Sequence, residues 1–566
     1  MDILRHFEKF PWCRPDWSYP SMSKETNELL RQCVDLPQVE LSDDIEEIIK
    51  KSKSFPIPFP INTVRLVELK KRKSLDKLKR NIVSTYPLIH ERVLLLMTHF
   101  LIYKRLVKFG HYLFPNHYIE LICFNSSEGW ESVGTLQQKP PLLLENCLSY
   151  DEMKLSAMLY VSGFTYCIND GKRKNSGVVD EDGVEEEAVI IGLIGPRFQR
   201  RCRMDNEDIL ITEEQNCIEN GYGEEVTPTA SNSAKYMWRK MWSEFYQVSN
   251  SFVHSFIHPF IHYTQCLIGA RFERPRKMDF EDVLITKDQN TVENGFGQPN
   301  NNTDSWISRW RQMWSEFYDI PSLLYKDLPD IKTDEKKYLT KYVRIDDNTV
   351  FSNEVYYKRI SVLADTTLLE AEFRANETGK DAFINVIGCG LGVWRISSHQ
   401  SDVYILTFIQ RIEDFLKKGL IDHVSDINFS YIRVSDDVRG IFQQSSSGNI
   451  MLRVICYLSK IIIICPIKGG VNIQLENREP SSKLSGEHAG KLLVMTYPWD
   501  GNAHPGNEFW FGSLKTSGDP AAACSTQVSE LHNAHINTTL RGDTVRVAAE
   551  GGVRPLREYC LTHTKQ

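Results

Sequence analysis

The sequence predicts an α/β layered protein, with a helical N-terminal region and a duplicated strand-turn-helix module ahead of the layered core. Three observations carry this. After about residue 340, short apolar strands alternate with helix-period segments. Residues 1–150 lack that alternation and read as mostly helical, broken early by Pro56, Pro58 and Pro60. Between these regions one stretch occurs twice.

Taken in order, the basic run KKRKSLDKLKR at 70–80 reads as a solvated helix face. Residues 91–114 (ERVLLLMTHFLIYKRLVKFGHYLF) carry Lys104, Arg105 and Lys108 and read as a buried helix hairpin rather than a membrane span. Residues 171–188 are polar and glycine-containing, a loop or insertion. Residues 195–223 and 269–297 are then identical at 17 of 29 positions, at an offset of 74, and the likeness continues into WRKMWSEFY at 238–246 and WRQMWSEFY at 310–318. Two copies make a tandem duplication, too few for a solenoid. In the second copy 283–286 reads as a strand and 294–297 (NGFG) as a turn, while Trp310, Trp314 and Phe317 recur at helical spacing as core. Between the copies His254, His258 and His262 have the spacing of a helical metal site, but Pro259 interrupts that helix and a linker is expected.

In the last third, 353–376 is a helix with Tyr356, Ile360, Leu363, Thr367 and Ala371 on one face and Gly379 beyond its end. Residues 382–387 form a strand, 403–418 an amphipathic helix stopped by Gly419, 426–434 and 492–497 strands, and 521–531 a helix. The alternation predicts a largely parallel sheet. The expected organisation is a helical region (1–150), the duplicated module (151–330), an α/β core (331–540) interrupted by an insertion near 442–468, and a tail (541–566).

Composition bounds the function. The chain has 566 residues, and at about 100–200 residues per domain that implies two to four domains. Hydrophobic residues are 41% and charged residues 25%, which excludes a wholly disordered or fibrous chain. A net charge of −7 argues against a nucleic-acid partner. The most apolar window, 455–467, is far shorter than the ~20 residues of a membrane span, so no membrane partner is expected. Thirteen cysteines without a CxxC pair fit reduced thiols and a cytoplasmic location, with the sequons at Asn125, Asn376 and Asn428 unused.

Three segments can carry chemistry. In NVIGCGLGVW (385–394) a strand runs into Gly388, Gly390 and Gly392, followed by Val393 and Trp394. Such glycines let main-chain N–H groups form an anion nest, and a tight structural turn stands beside that reading. In 492–510 a strand delivers Asp500, Asn502, His504, Asn507 and Glu508 between Trp499 and Trp510, among prolines and glycines that fix the backbone. Ligands of open α/β sheets sit at the carboxyl ends of strands. In SGDPAAACSTQ (517–527), Asp519 before Pro520 fits a helix N-cap as well as a catalytic acid. Clustered carboxylates can bind a guanidinium, or split into a proton donor and a water-activating base. A diphosphate in the glycine nest beside them points to an ADP-ribosyl substrate.

These runs, with GARFERPRKMDFEDVLITKDQNTVENGFG (269–297), resemble the MavL-like family of macrodomain-type ADP-ribosylhydrolases over roughly residues 150–540. The resemblance implies a macrodomain-like mixed sheet flanked by helices, ADP-ribose or ADP-ribosylated protein as partner, no cofactor and no required metal. It implies release of ADP-ribose from protein side chains at arginine. By the same resemblance Asp500, Glu508 and Asp519 are the catalytic acids, with Glu508 where the family pattern has Asp. Gly388, Gly390, Gly392, Val393, Trp394, Trp499, Asn502 and Asn507 would contact ligand, and Asp282 of the second copy is the candidate acidic contact. A non-catalytic ADP-ribose reader and a protein-interaction scaffold stand as alternatives.

Overall fold

The computed structural model describes residues 10–107, 154–193, 279–297, 306–331, 336–498 and 527–564, less short breaks at 15–16, 18–21, 35–40, 55–60, 156, 173–176, 393, 444–449, 453–454, 459–460, 465–469, 534–535, 538 and 541. The chain opens with α1 (Lys24–Gln32), α2 (Ile45–Ser54), α3 (Leu66–Leu69), α4 (Leu75–Val83), β1 (Tyr86–His90) and α5 (Glu91–Val107). β2 (Tyr160–Tyr166) and β3 (Glu187–Leu193) follow. The second repeat copy supplies α6 (Phe280–Val283), β4 (Leu284–Thr286) and α7 (Trp306–Tyr318). Next come β5 (Tyr342–Asp346), β6 (Thr349–Ser352), α8 (Asn353–Thr378), β7 (Ala382–Ile387), α9 (Gln400–Lys418), β8 (Val424–Ser430) and α10 (Asp436–Gln443). The chain continues through β9 (Ile450–Leu452), β10 (Ile455–Leu458), β11 (Ile461–Ile464), β12 (Val471–Gln474), β13 (Leu492–Pro498), α11 (Val528–Leu531), β14 (Arg546–Ala549), β15 (Gly552–Pro555) and α12 (Leu556–His563).

One ten-stranded mixed sheet, in the order β15-β14-β1-β2-β3-β13-β7-β8-β12-β9, organises the molecule. Its strands obey the two-residue period. Val189, Ile191, Leu193, Leu492 and Val494 join the core on the α8 and α9 face, while Ala188, Ile190, Leu493, Met495 and Tyr497 pack on the opposite face. Both faces are covered, so the central strands are near-continuous apolar runs. A third cluster gathers around Tyr166, where α2, α3 and α4 contribute Ile48, Ile49, Leu66, Leu78 and Ile82.

α8 is the longest described helix. Ser352 caps its start by accepting from the Val355 N–H, and Gly379 closes it at φ 65°, a left-handed geometry that favours glycine. Inside it, fully buried Glu370 accepts from Tyr86 Oη (2.7 Å), Ser162 Oγ (2.6 Å) and Arg374 Nε (2.7 Å). One carboxylate thus pins the helix to β1 and β2. Gly419 ends α9 in the same left-handed way, as its position predicts. The basic run at 70–80 is a solvated face paired with acids: Lys70 with Glu46, Arg72 and Lys73 with Glu181, and Arg80 with Glu187.

The sheet departs from the largely parallel expectation. Five pairings are parallel (β1 with β14, β3 with β13, β13 with β7, β7 with β8, β8 with β12). Four are antiparallel (β1 with β2, β2 with β3, β12 with β9, β14 with β15). The antiparallel half draws on regions read as helix or tail. β1 is five residues with a proline directly before a helix, too short to show a period. β14 and β15 form a hairpin turned by Gly552 at φ 92°, so residues set apart as a tail complete the sheet edge. Within 442–468, β9 pairs with β12 at the other edge and β10 with β11 as a separate hairpin. The strand expected at 283–286 begins one residue later, after the short helix α6. The first repeat copy and the three histidines lie outside the described residues.

Replacing Arg374 with methionine would leave the Glu370 charge buried without its cation. The expected loss is about 3–5 kcal/mol of unfolding free energy, read by urea denaturation, with the double replacement Glu370→Leu/Arg374→Met recovering much of it.

Candidate active site

β3, β13, β7, β8 and β12 are consecutive and parallel, so Leu193, Pro498, Ile387, Ser430 and Gln474 end on one edge of the sheet. After β7 the chain moves to β8 on one side, and after β13 it moves toward β14 on the other. Adjacent parallel strands with diverging connections open a crevice at their carboxyl ends, where ligands of open α/β sheets bind. The glycine turn at 388–394 leaves the sheet at the end of β7, and the sequence after Pro498, at the neighbouring end of β13, carries the other two stretches singled out from sequence (492–510 and 517–527), whose residues 499–526 lie outside the described ones.

The strands separate there. Their last paired residues are Met495 and Asn385. Beyond that point the Thr496 hydroxyl joins them, accepting from the Ile387 N–H (3.1 Å) and donating to the Asn385 carbonyl (3.2 Å). From α9, Tyr404 Oη donates to the Ile387 carbonyl (2.9 Å). The three glycines have different reasons. At Gly388 a Cβ would sit 2.9 Å from Leu391, at Gly390 φ is +75°, and at Gly392 a Cβ would meet nothing within 4 Å. The turn closes on itself through Leu391 N–H to the Gly388 carbonyl (3.1 Å). Arg395 N–H reaches the Gly392 carbonyl (3.2 Å). The N–H groups of Gly390, Gly392 and Trp394 have no protein acceptor among the described residues. Trp394 is half-buried, and Val393 lies outside the described residues. Gln400 Oε1 accepts from Ile396 and Ser397 N–H and fixes the far end of the loop (2.6 and 2.8 Å).

Trp499, Asp500, Asn502, Asn507, Glu508 and Asp519 lie outside the described residues, but both anchors of their segment are described. Tyr497 is buried, and its hydroxyl contacts His532 Nδ1 (3.1 Å). Burial pushes His532 down to about 3, so it stays neutral near neutral pH. At the other end Gln527 Oε1 accepts from Asn81 Nδ2 (2.7 Å) and the Tyr166 N–H (3.3 Å). The residues that flank the segment, Tyr497 and Gln527, are therefore held by core contacts.

Asp282 belongs to a buried charge cluster. Lys154 Nζ pairs with Asp282 and with Glu281 Oε1 (2.8 Å), and Arg311 Nη1 pairs with Glu281 Oε2 (2.5 Å). Trp310 Nε1 donates to Glu281 (2.8 Å). Burial opposes ionisation of both acids. At Glu281 the two cations outweigh it and the pKa falls to about 2. At Asp282 burial prevails, joined by the Glu281 charge, and the pKa rises to about 7. The turn and helix of the copy form as predicted, with Gly295 and Gly297 at positive φ and Trp310, Trp314 and Phe317 buried.

Sequence reading missed two features of the edge. Asn385, Asn428 and Ser430 form a buried network at the ends of β7 and β8: Asn428 Nδ2 and Ser430 Oγ both donate to Asn385 Oδ1 at 3.0 Å. Polar residues inside otherwise apolar strands were the available signal. Beside them Tyr431, 52% exposed, adopts φ +57°, a strained value for a bulky residue. Asn477 Oδ1 accepts its N–H (3.1 Å) and Glu479 accepts from its hydroxyl (2.8 Å). Nothing in the linear sequence marks that conformation.

Fold and edge define an open α/β protein with a topological switch point between β7, which runs into a glycine turn, and β13, which precedes an acid-rich stretch of sequence. A family profile described as "ADP-ribosylhydrolase MavL-like" matches residues 46–114, 101–265 and 264–562. The chain belongs to the MavL-like ADP-ribosylhydrolase family. It is 32% identical to a Drosophila melanogaster protein named ADP-ribosylarginine hydrolase CG3568 over 570 residues, covering 94% of this chain and 92% of the relative. It is 30% identical to ADP-ribosylarginine hydrolase CG2909 of the same organism, covering 95% and 94%. Among the described residues no helix is long and apolar enough to cross a membrane, and no cluster of metal-ligating side chains occurs.

Between its ordinary value of 3.8 and about 7, Asp282 keeps in the folded state a proton that the unfolded chain has released. Stability therefore falls as pH rises through that window. Glu281 acts oppositely, its contribution being lost as pH drops from 4.5 toward 2. Asp282→Asn is expected to flatten the decline of Tm across the upper window, as thermal melts at a series of pH values would show; an unchanged slope contradicts the assignment.

Proposed function

We propose that this chain hydrolyses the bond between ADP-ribose and arginine side chains of proteins. The single observation that supports the reading is the parallel adjacency of β7 and β13, so that the strand before the glycine turn and the strand before the acid-rich stretch of sequence end side by side. Family membership supports the reaction class, and the two relatives' names support the arginine linkage.

In this reading the unspent N–H groups of Gly390, Gly392 and Trp394 take the diphosphate, as a main-chain nest takes an anion. Gly388 keeps the turn tight, and Val393 belongs to the same loop. Trp499, Asn502 and Asn507 position the ribose. Tyr431 offers an exposed ring at the same edge for a planar group. Asp500, Glu508 and Asp519 divide the proton work. One carboxylic acid protonates the departing guanidine nitrogen as its bond to the ribose anomeric carbon breaks. A second carboxylate removes a proton from water, whose oxygen bonds to that carbon. The products are free ADP-ribose and unmodified arginine. Asp282, tied to Lys154, acts from the neighbouring module rather than at the scissile bond.

Asp500→Asn should lower single-turnover release of ADP-ribose from an arginine-modified protein by about 10²–10⁴-fold while free ADP-ribose still binds; near-full turnover would refute the mechanism. A wild-type chain that binds ADP-ribose tightly without turnover would instead be a reader. Gly392→Ala, which meets open space in the folded chain, should leave Tm unchanged and weaken ADP-ribose binding in calorimetry; unaltered binding would remove this glycine from the site.

A further inference from the structure

A cleft beside Asp282 lies in the second repeat copy, bounded by α7, the residues after it and the start of α8. It encloses about 50 Å³ and is lined by Glu281, Asp282, Arg311, Trp314, Tyr318 and Ser322, with Ser352 and Val355 at its α8 wall. Trp314 Nε1, Tyr318 Oη and Ser322 Oγ are buried atoms with no hydrogen-bond partner among the described residues. Trp314 and Tyr318 are each only 2% exposed. Buried polar groups in native proteins are almost always satisfied, and three orphans on one cleft ask for a common partner. An indole N–H can only donate, so that partner presents acceptor oxygens.

The charges narrow its chemistry. Lys154 lies 3.7 Å from the centre of the Trp314 ring. It and Arg311 bring two cations against Glu281 and Asp282. Burial raises Asp282 to about 7, so near neutrality it is only partly ionised and the two acids do not fully neutralise the two cations. A doubly charged phosphate would be set against both acids. A single negative charge balances the cluster, and the small volume admits a compact group rather than a nucleobase.

We infer that this cleft binds a carboxylate, held by Trp314 Nε1, Tyr318 Oη and Ser322 Oγ in the field of Lys154 and Arg311. The carboxylate is either a small free acid or an acidic side chain of a protein that docks beside the crevice. The site does not depend on the hydrolase reading, because its readout is the indole itself.

The test uses the full chain with 15N-labelled tryptophan. The Trp314 indole N–H resonance is assigned by its disappearance in Trp314→Phe and followed during titration with sodium acetate, acetamide or sodium chloride. Acetate should move it downfield to saturation, whereas acetamide and chloride should not. Ser322→Ala should raise the acetate midpoint by about tenfold, the cost of one hydrogen bond to a charged acceptor. An N-acetyl-glutamyl peptide distinguishes the sources: tighter saturation than acetate identifies a protein side chain, and weaker saturation a small free acid. An indole insensitive to acetate, an equal response to acetamide, or an N–H already protected from solvent exchange before any addition overturns the proposal.

Discussion

The separation of β7 from β13 is the constraint from which the site follows. Two parallel neighbours pair as far as Asn385 and Met495, then part, and the Thr496 hydroxyl takes over their connection. The next strand after β7 is β8 on one side, and the next after β13 is β14 on the other, the arrangement of a topological switch point. The glycine turn then needs only local causes: a close approach at Gly388, a positive φ at Gly390 and an open face at Gly392. The order of strands makes the crevice, and the glycines shape one wall of it.

Buried charge holds this arrangement from below. Arg359 pairs with Asp279 (3.0 Å), Arg374 with Glu370, and Arg411 with Asp365 (2.6 Å). All six groups sit on or against α8, whose neighbours include strands across the central sheet. Ion pairs at such depth contribute little net stability over apolar packing, but they penalise any register that separates partners. The same principle operates in the second repeat copy, where Lys154 ties residues of α6 to the segment leading into β2. The second copy is thereby fixed to the core by charge as well as by its tryptophans.

Much of this was legible in the sequence, for identifiable reasons. α8 and α9 end at glycines and β7 and β13 are short continuous apolar runs, and all four form within a few residues of expectation. Family membership was legible in the glycine turn and the acid-rich segment. What escaped was long-range pairing. β1 with its proline, and the β14–β15 hairpin, become strands only because the sheet edge offers partners far away in sequence. The Tyr431 conformation escaped as well, since it is imposed by Asn477 and Glu479, more than forty residues distant. The roles of Asp500, Glu508 and Asp519 rest on chemistry and resemblance, because those residues lie outside the described ones.

A crystal of the chain soaked with ADP-ribose tests the central claim most directly. Difference density for the diphosphate against Gly390–Gly392, with the ribose lying toward the end of β13 at Pro498, is the predicted result. Density at the opposite edge of the sheet, or confined to the repeat copy, would contradict the account.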